Sequence, residues 1–239
     1  MACSLRILNI GNTHVQVFDS PEPEVFIPGR TCPTADFDPR SQAQYAPGMA
    51  VASVVPALTE TFRRMGVFVV SGSMELPFAP SALDMSGVGA DRLANAVALL
   101  DGPLPALSVD FGTAITFEFV TASRQFAGGA ILPGRMLLRQ SLHDHTAQLP
   151  LLPLYDTVPP LPGMNTVDAM RIGTDGAVIG AVGALIGQWK KSCAPESLRI
   201  VACGGDRSFF LKNLDDLSDG GDYFTVRGIR KLWEFHHAR

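Results

Sequence analysis

Ala106-Leu107-Ser108-Val109-Asp110-Phe111-Gly112-Thr113-Ala114 repeats a pattern that opens the chain at Leu5-Arg6-Ile7-Leu8-Asn9-Ile10-Gly11-Asn12-Thr13. Each time an apolar run stops at a short polar turn and resumes, over residues 15–18 in the first copy and 114–120 in the second. That is the pattern of a tight β-hairpin. Two hairpins of one design, each opening about half of the chain, predict a duplicated domain rather than a short-period solenoid. The linker is expected near residues 101–105, giving units over 1–102 and 103–239.

Working outward, residues 49–55 read as a strand ended by Pro56, 58–64 as a helix and 67–70 as another strand. A helix is expected over 92–100. In the second half the stretch from Gly134 to Leu142 has helical spacing, and 167–190 reads as a long helix whose several glycines would permit close packing. Residues 198–202 form a strand running into Gly204-Gly205-Asp206. Residues 21–45 are polar and Pro-rich and are read as partly loop. Strands and helices in both halves predict an α/β architecture.

The turns carry the first chemical signal. Gly removes the Cβ that would block close approach, so Gly11-Asn12-Thr13 can aim successive N–H groups and a hydroxyl at an anion. An ordinary hairpin turn has the same composition; the second copy at Gly112-Thr113 favours the phosphate reading. Asp110 ends an apolar strand, where a carboxylate is costly without a cation or donors nearby. It either caps its own turn or faces a cation beside phosphate oxygens. Its counterpart Asn9 is neutral.

Gly87-Val88-Gly89-Ala90-Asp91-Arg92 is a flexible loop entering a helix, so Asp91 falls in the first turn or at the N-cap. One reading is plain capping. The other has Asp91 accept a proton from an attacking alcohol while Arg92 holds an anionic group on that acceptor, because phosphoryl transfer requires mostly positioning and charge stabilisation. His143 and His145 flank Asp144, but residues two apart on a helix face different sides, so a surface turn is favoured over a metal site. The aromatics of residues 232–237 are read as packing a last helix or an interface.

The 239 residues, 46% hydrophobic and 18% charged, suffice for a real core. A net charge of -4 argues against a chain that grips nucleic acid or an anionic membrane. Cys3, Cys32, Cys193 and Cys203 are scattered without zinc spacing and are read as reduced thiols. Residues 5–10 are too short and polar for a signal peptide, and the apolar core 177–187 is about half of a bilayer crossing. A soluble cytoplasmic protein is expected.

In this order the motifs resemble the type III pantothenate kinases, of the acetate kinase, sugar kinase, Hsp70 and actin superfamily. The match runs from Asn9–Thr13 through Ser53-Val54-Val55-Pro56, Gly89-Ala90-Asp91-Arg92 with Asn95, and Asp110-Phe111-Gly112-Thr113-Ala114. It continues with Gly128-Gly129-Ala130-Ile131-Leu132-Pro133-Gly134, Thr146-Ala147-Gln148-Leu149-Pro150, Asn165-Thr166 with Gly173, and Gly204-Gly205-Asp206. The resemblance implies two duplicated ribonuclease-H-like (actin-like ATPase) domains with mixed sheets flanked by helices. It further implies a homodimer and transfer of the γ-phosphate of ATP, with Mg²⁺ and a monovalent cation (K⁺ or NH₄⁺), to pantothenate, the first step toward coenzyme A.

Carried over by position, Asn9, Ile10, Gly11, Asn12, Thr13, His14, Val15 and Gln16 form the first ATP-binding stretch, and Gly112 and Thr113 the second. Asp110 binds the monovalent cation. Gly89, Ala90, Asp91 and Arg92 line the acceptor site with Asp91 as proton acceptor, and Thr166 contacts the acceptor near a subunit boundary. Two departures stand out: Asn9 occupies the place where the family's first turn ordinarily opens with Asp, and residues 81–88 lack the family's Tyr and Pro. Asn9 favours a second reading, a non-catalytic nucleotide-binding relative like the Bvg accessory factors; the altered loop favours a third, a kinase of another small alcohol.

Overall fold

Both apolar runs of each predicted hairpin pair as expected in a computed structural model, which describes residues 4–194 and 197–238. Strand β1 (Leu5–Ile10) pairs antiparallel with β2 (His14–Ser20), setting Asn9 opposite Gln16. The edge strand β3 (Ile27–Pro33) follows β2. Two 3-10 segments (Thr34–Asp36 and Pro39–Gly48) lead to β4 (Met49–Ser53), which pairs parallel with β1. Helix α1 (Pro56–Arg64) begins two residues before the expected start, because Pro56 has a φ suited to the first helical position. After β5 (Phe68–Val69) and a long connection comes α2 (Ala90–Leu99).

The second half repeats this plan. β6 (Ala106–Phe111) and β7 (Ala114–Val120) form the hairpin, β8 (Ile131–Pro133) its edge. α3 (Arg135–Asp144) and α4 (Thr166–Cys193) precede β9 (Arg199–Cys203), then α5 (Arg207–Leu211), β10 (Ser218–Asp219) and α6 (Phe224–His237). The sheets run β3-β2-β1-β4-β5 and β10-β9-β6-β7-β8, one strand order read from opposite ends.

Helices α2 and α6 lie between the two sheets. Their side chains share one core with Ile7 and Ala52 of the first sheet and Ala106 and Val201 of the second. They cross at backbone contact: a Cβ on Gly228 would fall 1.9 Å from the Ala94 carbonyl oxygen. α4 and α5 cover the outer face of the second sheet, and α1 covers that of the first.

Two readings need revision and one gains an element. Residues 21–45 contain a strand, β3, almost wholly exposed and holding Pro28 and Pro33, so it lacks the alternation that reveals a strand. Most glycines of α4 do not serve close packing within the chain: a Cβ at Gly173, Gly176, Gly180 or Gly187 would meet no neighbour within 4 Å, and at Gly183 it would make only an ordinary contact, 3.5 Å from the Leu214 side chain. α4 as a whole is long and apolar enough to cross a bilayer by length and composition, because the helix extends well beyond its apolar centre. It carries the buried Asp175 and sets Val178, Val182 and Ile186 in the core.

Residues 232–237 end α6, with Trp233 and His237 stacked at 4.4 Å. His143 lies in α3 with Nδ1 3.0 Å from the Leu149 carbonyl. Cys32 and Cys203 are buried and Cys193 half-buried, all free thiols; Cys3 lies outside the described residues.

Candidate active site

The two turns meet. Thr13 and Thr113, exposed at the tips of the β1–β2 and β6–β7 hairpins, place their hydroxyl oxygens 2.9 Å apart. The first tip closes with Gly11 N–H donating to the His14 carbonyl at 2.9 Å, the second with Gly112 N–H donating to that of Ala114 at 3.2 Å. Ile10 and Val15 point into the core and their backbones pair with each other across the hairpin, whereas Asn12, His14 and Gln16 are exposed. Asn9 is half-buried, its amide 3.4 Å from Gln16 Oε1. Gly134 backs the second tip: its N–H donates to the Thr113 carbonyl, and a Cβ there would come within 2.3 Å of the Gly112 carbonyl oxygen.

Asp110 stands at the end of β6 beside this tip. Its Oδ2 accepts from Asn95 Nδ2 at 2.9 Å, and Asn95 Oδ1 accepts from the Thr225 hydroxyl at 2.7 Å. Asn95 is wholly buried, so both ends of its amide are used and its orientation is fixed. Gly204, at φ +89°, lies against the other oxygen: a Cβ there would be 2.3 Å from Asp110 Oδ1. Shielding from water raises the Asp110 carboxyl to about 6, opposed by the Asn95 hydrogen bond and reinforced by the charge of Asp91.

Asp91 lies in the first turn of α2, whose N-cap is Gly89 and whose first residue, Ala90, is buried. Its Oδ1 accepts from Arg92 N–H at 2.8 Å. Burial pushes its pKa up, and that hydrogen bond and the Arg92 charge pull it back. A half-buried carboxylate with a raised pKa, close enough to Asp110 for the charges to interact, has the character of a proton acceptor.

Arg92 turns inward. Nε donates to Glu118 Oε1 at 3.0 Å and Nη2 to the Phe117 carbonyl at 3.1 Å, so much of its fork is committed to protein. Glu118 is fully buried and also accepts from the Ser108 hydroxyl at 2.8 Å. Burial raises its carboxyl to about 7 despite these partners. Cys203, on β9 beside β6, has its thiol pushed well up, by burial first and then by Asp110, and stays protonated.

Thr166 stands apart as the exposed first residue of α4, behind the N-cap Asn165. Sequence reasoning missed Glu118, Ser108 and Thr225 entirely. It also missed a buried network in which Arg135 and Arg139 both bind Asp175, and Arg135 reaches Asp206 at 2.9 Å. The spacing of Arg135 and Arg139 on one face of a helix was the available signal. Asp206 N–H donates to the Phe111 carbonyl, tying this network to the second turn.

Comparison with known proteins identifies the family and the fold. The model of the type III pantothenate kinase family matches residues 32–190. A type III pantothenate kinase of Rubrobacter xylanophilus is 35% identical over 81% of this chain and 78% of its own. One from an Exiguobacterium is 31% identical over 78% and 76%. Among solved structures, a protein described as a Baf family transcriptional activator from Campylobacter jejuni superposes with TM-score 0.64 at 18% identity, covering 98% of this chain and all of its own. A ROK family glucokinase from Streptomyces griseus reaches 0.57 at 10% identity over 96% and 98%. These likenesses place the paired sheets in the duplicated, actin-like ATPase fold.

Proposed function

We propose the function from the family: this chain belongs to the type III pantothenate kinases, and it transfers the γ-phosphate of ATP to pantothenate, giving 4'-phosphopantothenate for coenzyme A synthesis. The observation that carries this reading is the meeting of two equivalent turns at Thr13 and Thr113 beside a helix that sets Asp91 against Asp110. The turns offer hydroxyls and backbone N–H groups to phosphate oxygens, with residues 9–16 on one side and Gly112 and Thr113 on the other. Asp91 takes the proton of the acceptor hydroxyl as the oxygen attacks.

Asp110, a half-buried carboxylate with one oxygen held by Asn95, fits a monovalent cation such as K⁺. Mg²⁺ bound with ATP near Asn9 and Asp110 would neutralise the charge that develops during transfer. Asn9, lacking a formal charge, would position it less strongly than an Asp. The reading divides the chain at residue 102, though α2, which belongs to the first unit by sequence, binds the second sheet through Arg92 and Asn95.

We place the enzyme in the cytoplasm as a homodimer. Support for the dimer is an apolar surface around α3 and the start of α4, where Leu137, Leu151, Leu161, Met164 and Val167 are exposed. Gly173, Gly176 and Gly180, toward the start of α4 and open within the chain, add room for close approach. Thr166 would then meet the acceptor at the subunit boundary.

The test is purified protein with ATP, Mg²⁺ and K⁺, with and without pantothenate, following ADP and the phosphorylated product. Pantothenate-dependent ADP release is expected. ATP binding without it would instead leave a binding-only relative, the reading that Asn9 favours.

A further inference from the structure

Glu118 is a carboxylate with no access to water, on a strand whose neighbours face a helix from the other half of the chain. Such a group is strongly unfavourable unless both oxygens are satisfied. Here Oε1 takes Arg92 Nε and Oε2 takes the Ser108 hydroxyl, so the pair is fully engaged. The slot that receives Arg92 is kept open by Gly129. A Cβ at that position would fall 1.6 Å from the Phe117 carbonyl oxygen and 3.2 Å from Arg92 Nη2.

Arg92 is also the residue after Asp91, and its own N–H holds the Asp91 carboxylate. Whatever anchors the guanidinium therefore anchors the turn that carries the proposed base. With Nε and one N–H of Nη2 given to Glu118 and the Phe117 carbonyl, Nη1 is the nitrogen left with both N–H groups to turn toward an acceptor anion. Without Glu118, a half-buried cation would swing toward solvent and carry the first turn of α2 with it.

We propose that Glu118 is a positioning residue for phosphoryl transfer: through Arg92 it fixes the first turn of α2, so that Asp91 and one guanidinium donor meet the acceptor in a single arrangement. The role rests on the pantothenate kinase reading above, and it concerns the acceptor half of the site rather than the ATP half.

The experiment is a double-mutant cycle with Glu118→Gln, Arg92→Gln and the pair together, in steady-state assays with ATP and pantothenate. Glu118→Gln is expected to lower kcat/KM for pantothenate about tenfold or more while KM for ATP moves less than about twofold. In the Arg92→Gln background the same change should add less than about twofold, because the residue it acts through is gone. Equal losses toward both substrates, or independent multiplicative losses, would overturn the proposal. The double variant removes both charges of the pair and so supplies a folded reference if the single variant is unstable.

A readout that does not depend on turnover separates this role from the function itself. Amide hydrogen exchange at residues 91–93 and the side-chain Nε–H resonance of Arg92 can be followed in the intact protein. Glu118→Gln should speed that exchange and shift that resonance, with the amides of the β1–β2 hairpin unchanged. No change at residues 91–93 would sink the positioning role, whether or not the wild type phosphorylates pantothenate. Wild-type protein inert toward pantothenate but responding in this way would sink only the function.

Discussion

The hydroxyl oxygens of Thr13 and Thr113 lie 2.9 Å apart across the cleft, although 100 residues separate them. They occupy matching tips of two hairpins built on one strand order, so a single bound polyphosphate would be grasped by both copies of the duplicated unit. Thr113→Val keeps the shape and removes the donor. It should raise KM for ATP about tenfold, as loss of a hydrogen bond to a charged oxygen does, with KM for pantothenate little changed. Thr13→Val should act likewise, and the double variant should lose less than the product of the two, since each hydroxyl partners the other. Steady-state kinetics of the three variants decide it; an unchanged KM for ATP would remove the tips from nucleotide binding.

Asp91→Asn keeps volume and polarity and abolishes the basic lone pair. A positioned base is worth about a hundredfold or more in rate, so kcat should fall at least that far. ATP affinity, measured by calorimetry, should stay close to wild type. A fully active variant would remove Asp91 from the base role and leave it as an ordinary acid in the first turn of α2.

What was legible in the sequence was what a local period can carry. The hairpin β6–β7 shows because an apolar run, a Gly-Thr turn and a second run are contiguous, and Asp91 shows because a Gly-rich loop abuts a helix. Glu118 did not show. In the run Ala114–Val120 it occupies a place that, in a hairpin with one wet face, belongs to solvent, and only the docking of α2 on that face buries it. Its partner lies 26 residues earlier on a different element. Arg135 and Arg139 were missed for the same reason: two arginines on a helix read as a wet face until Asp175 of α4 closes over them. β3 lacked any pattern because it is an exposed edge.

Asn9→Asp tests whether the missing charge in the first turn limits the enzyme. Asn9 and Asp110 hold equivalent ends of β1 and β6, one facing Gln16 and the other Thr116 across its hairpin. Adding a carboxylate at the first position should raise kcat several-fold and lower the Mg²⁺ concentration needed for half-maximal rate. Unchanged or slower turnover would count against a limit set by the missing charge.

Stability should fall as pH rises through the weakly acid range. The Glu118 carboxyl moves from an ordinary 4.5 to about 7 on folding, and Asp110 from 3.8 to about 6. In each case the folded state keeps a proton that the unfolded chain releases first. Their contribution is therefore fully present below the unfolded value and is lost as pH climbs through the folded one. Asp84 and Asp219 are shifted the opposite way, so their effect lies at more acid pH, outside this window. Urea unfolding at pH 5, 6 and 7 should give a declining free energy whose upper part, between pH 6 and 7, flattens in Glu118→Gln. An identical slope in wild type and variant would refute the assignment to Glu118.

Gly228 holds α2 and α6 at backbone contact. A Cβ there would sit 1.9 Å from the Ala94 carbonyl oxygen and 2.5 Å from its carbon, with no flexible side chain to yield. Gly228→Ala must therefore separate the helices that fill the space between the sheets, at a cost of about 1–3 kcal/mol or more. Gly187→Ala is the matched control, since a Cβ there would meet no neighbour within 4 Å and alanine favours a helix by up to about 1 kcal/mol. Opposite signs of the two changes in denaturant midpoint are expected. Because α2 also carries Asp91, Arg92 and Asn95, Gly228→Ala should reduce kcat for pantothenate well below the folding transition, where Gly187→Ala leaves it unchanged. A Gly228→Ala protein as stable and as active as wild type would mean that the crossing of α2 and α6 does not set the position of Asp91.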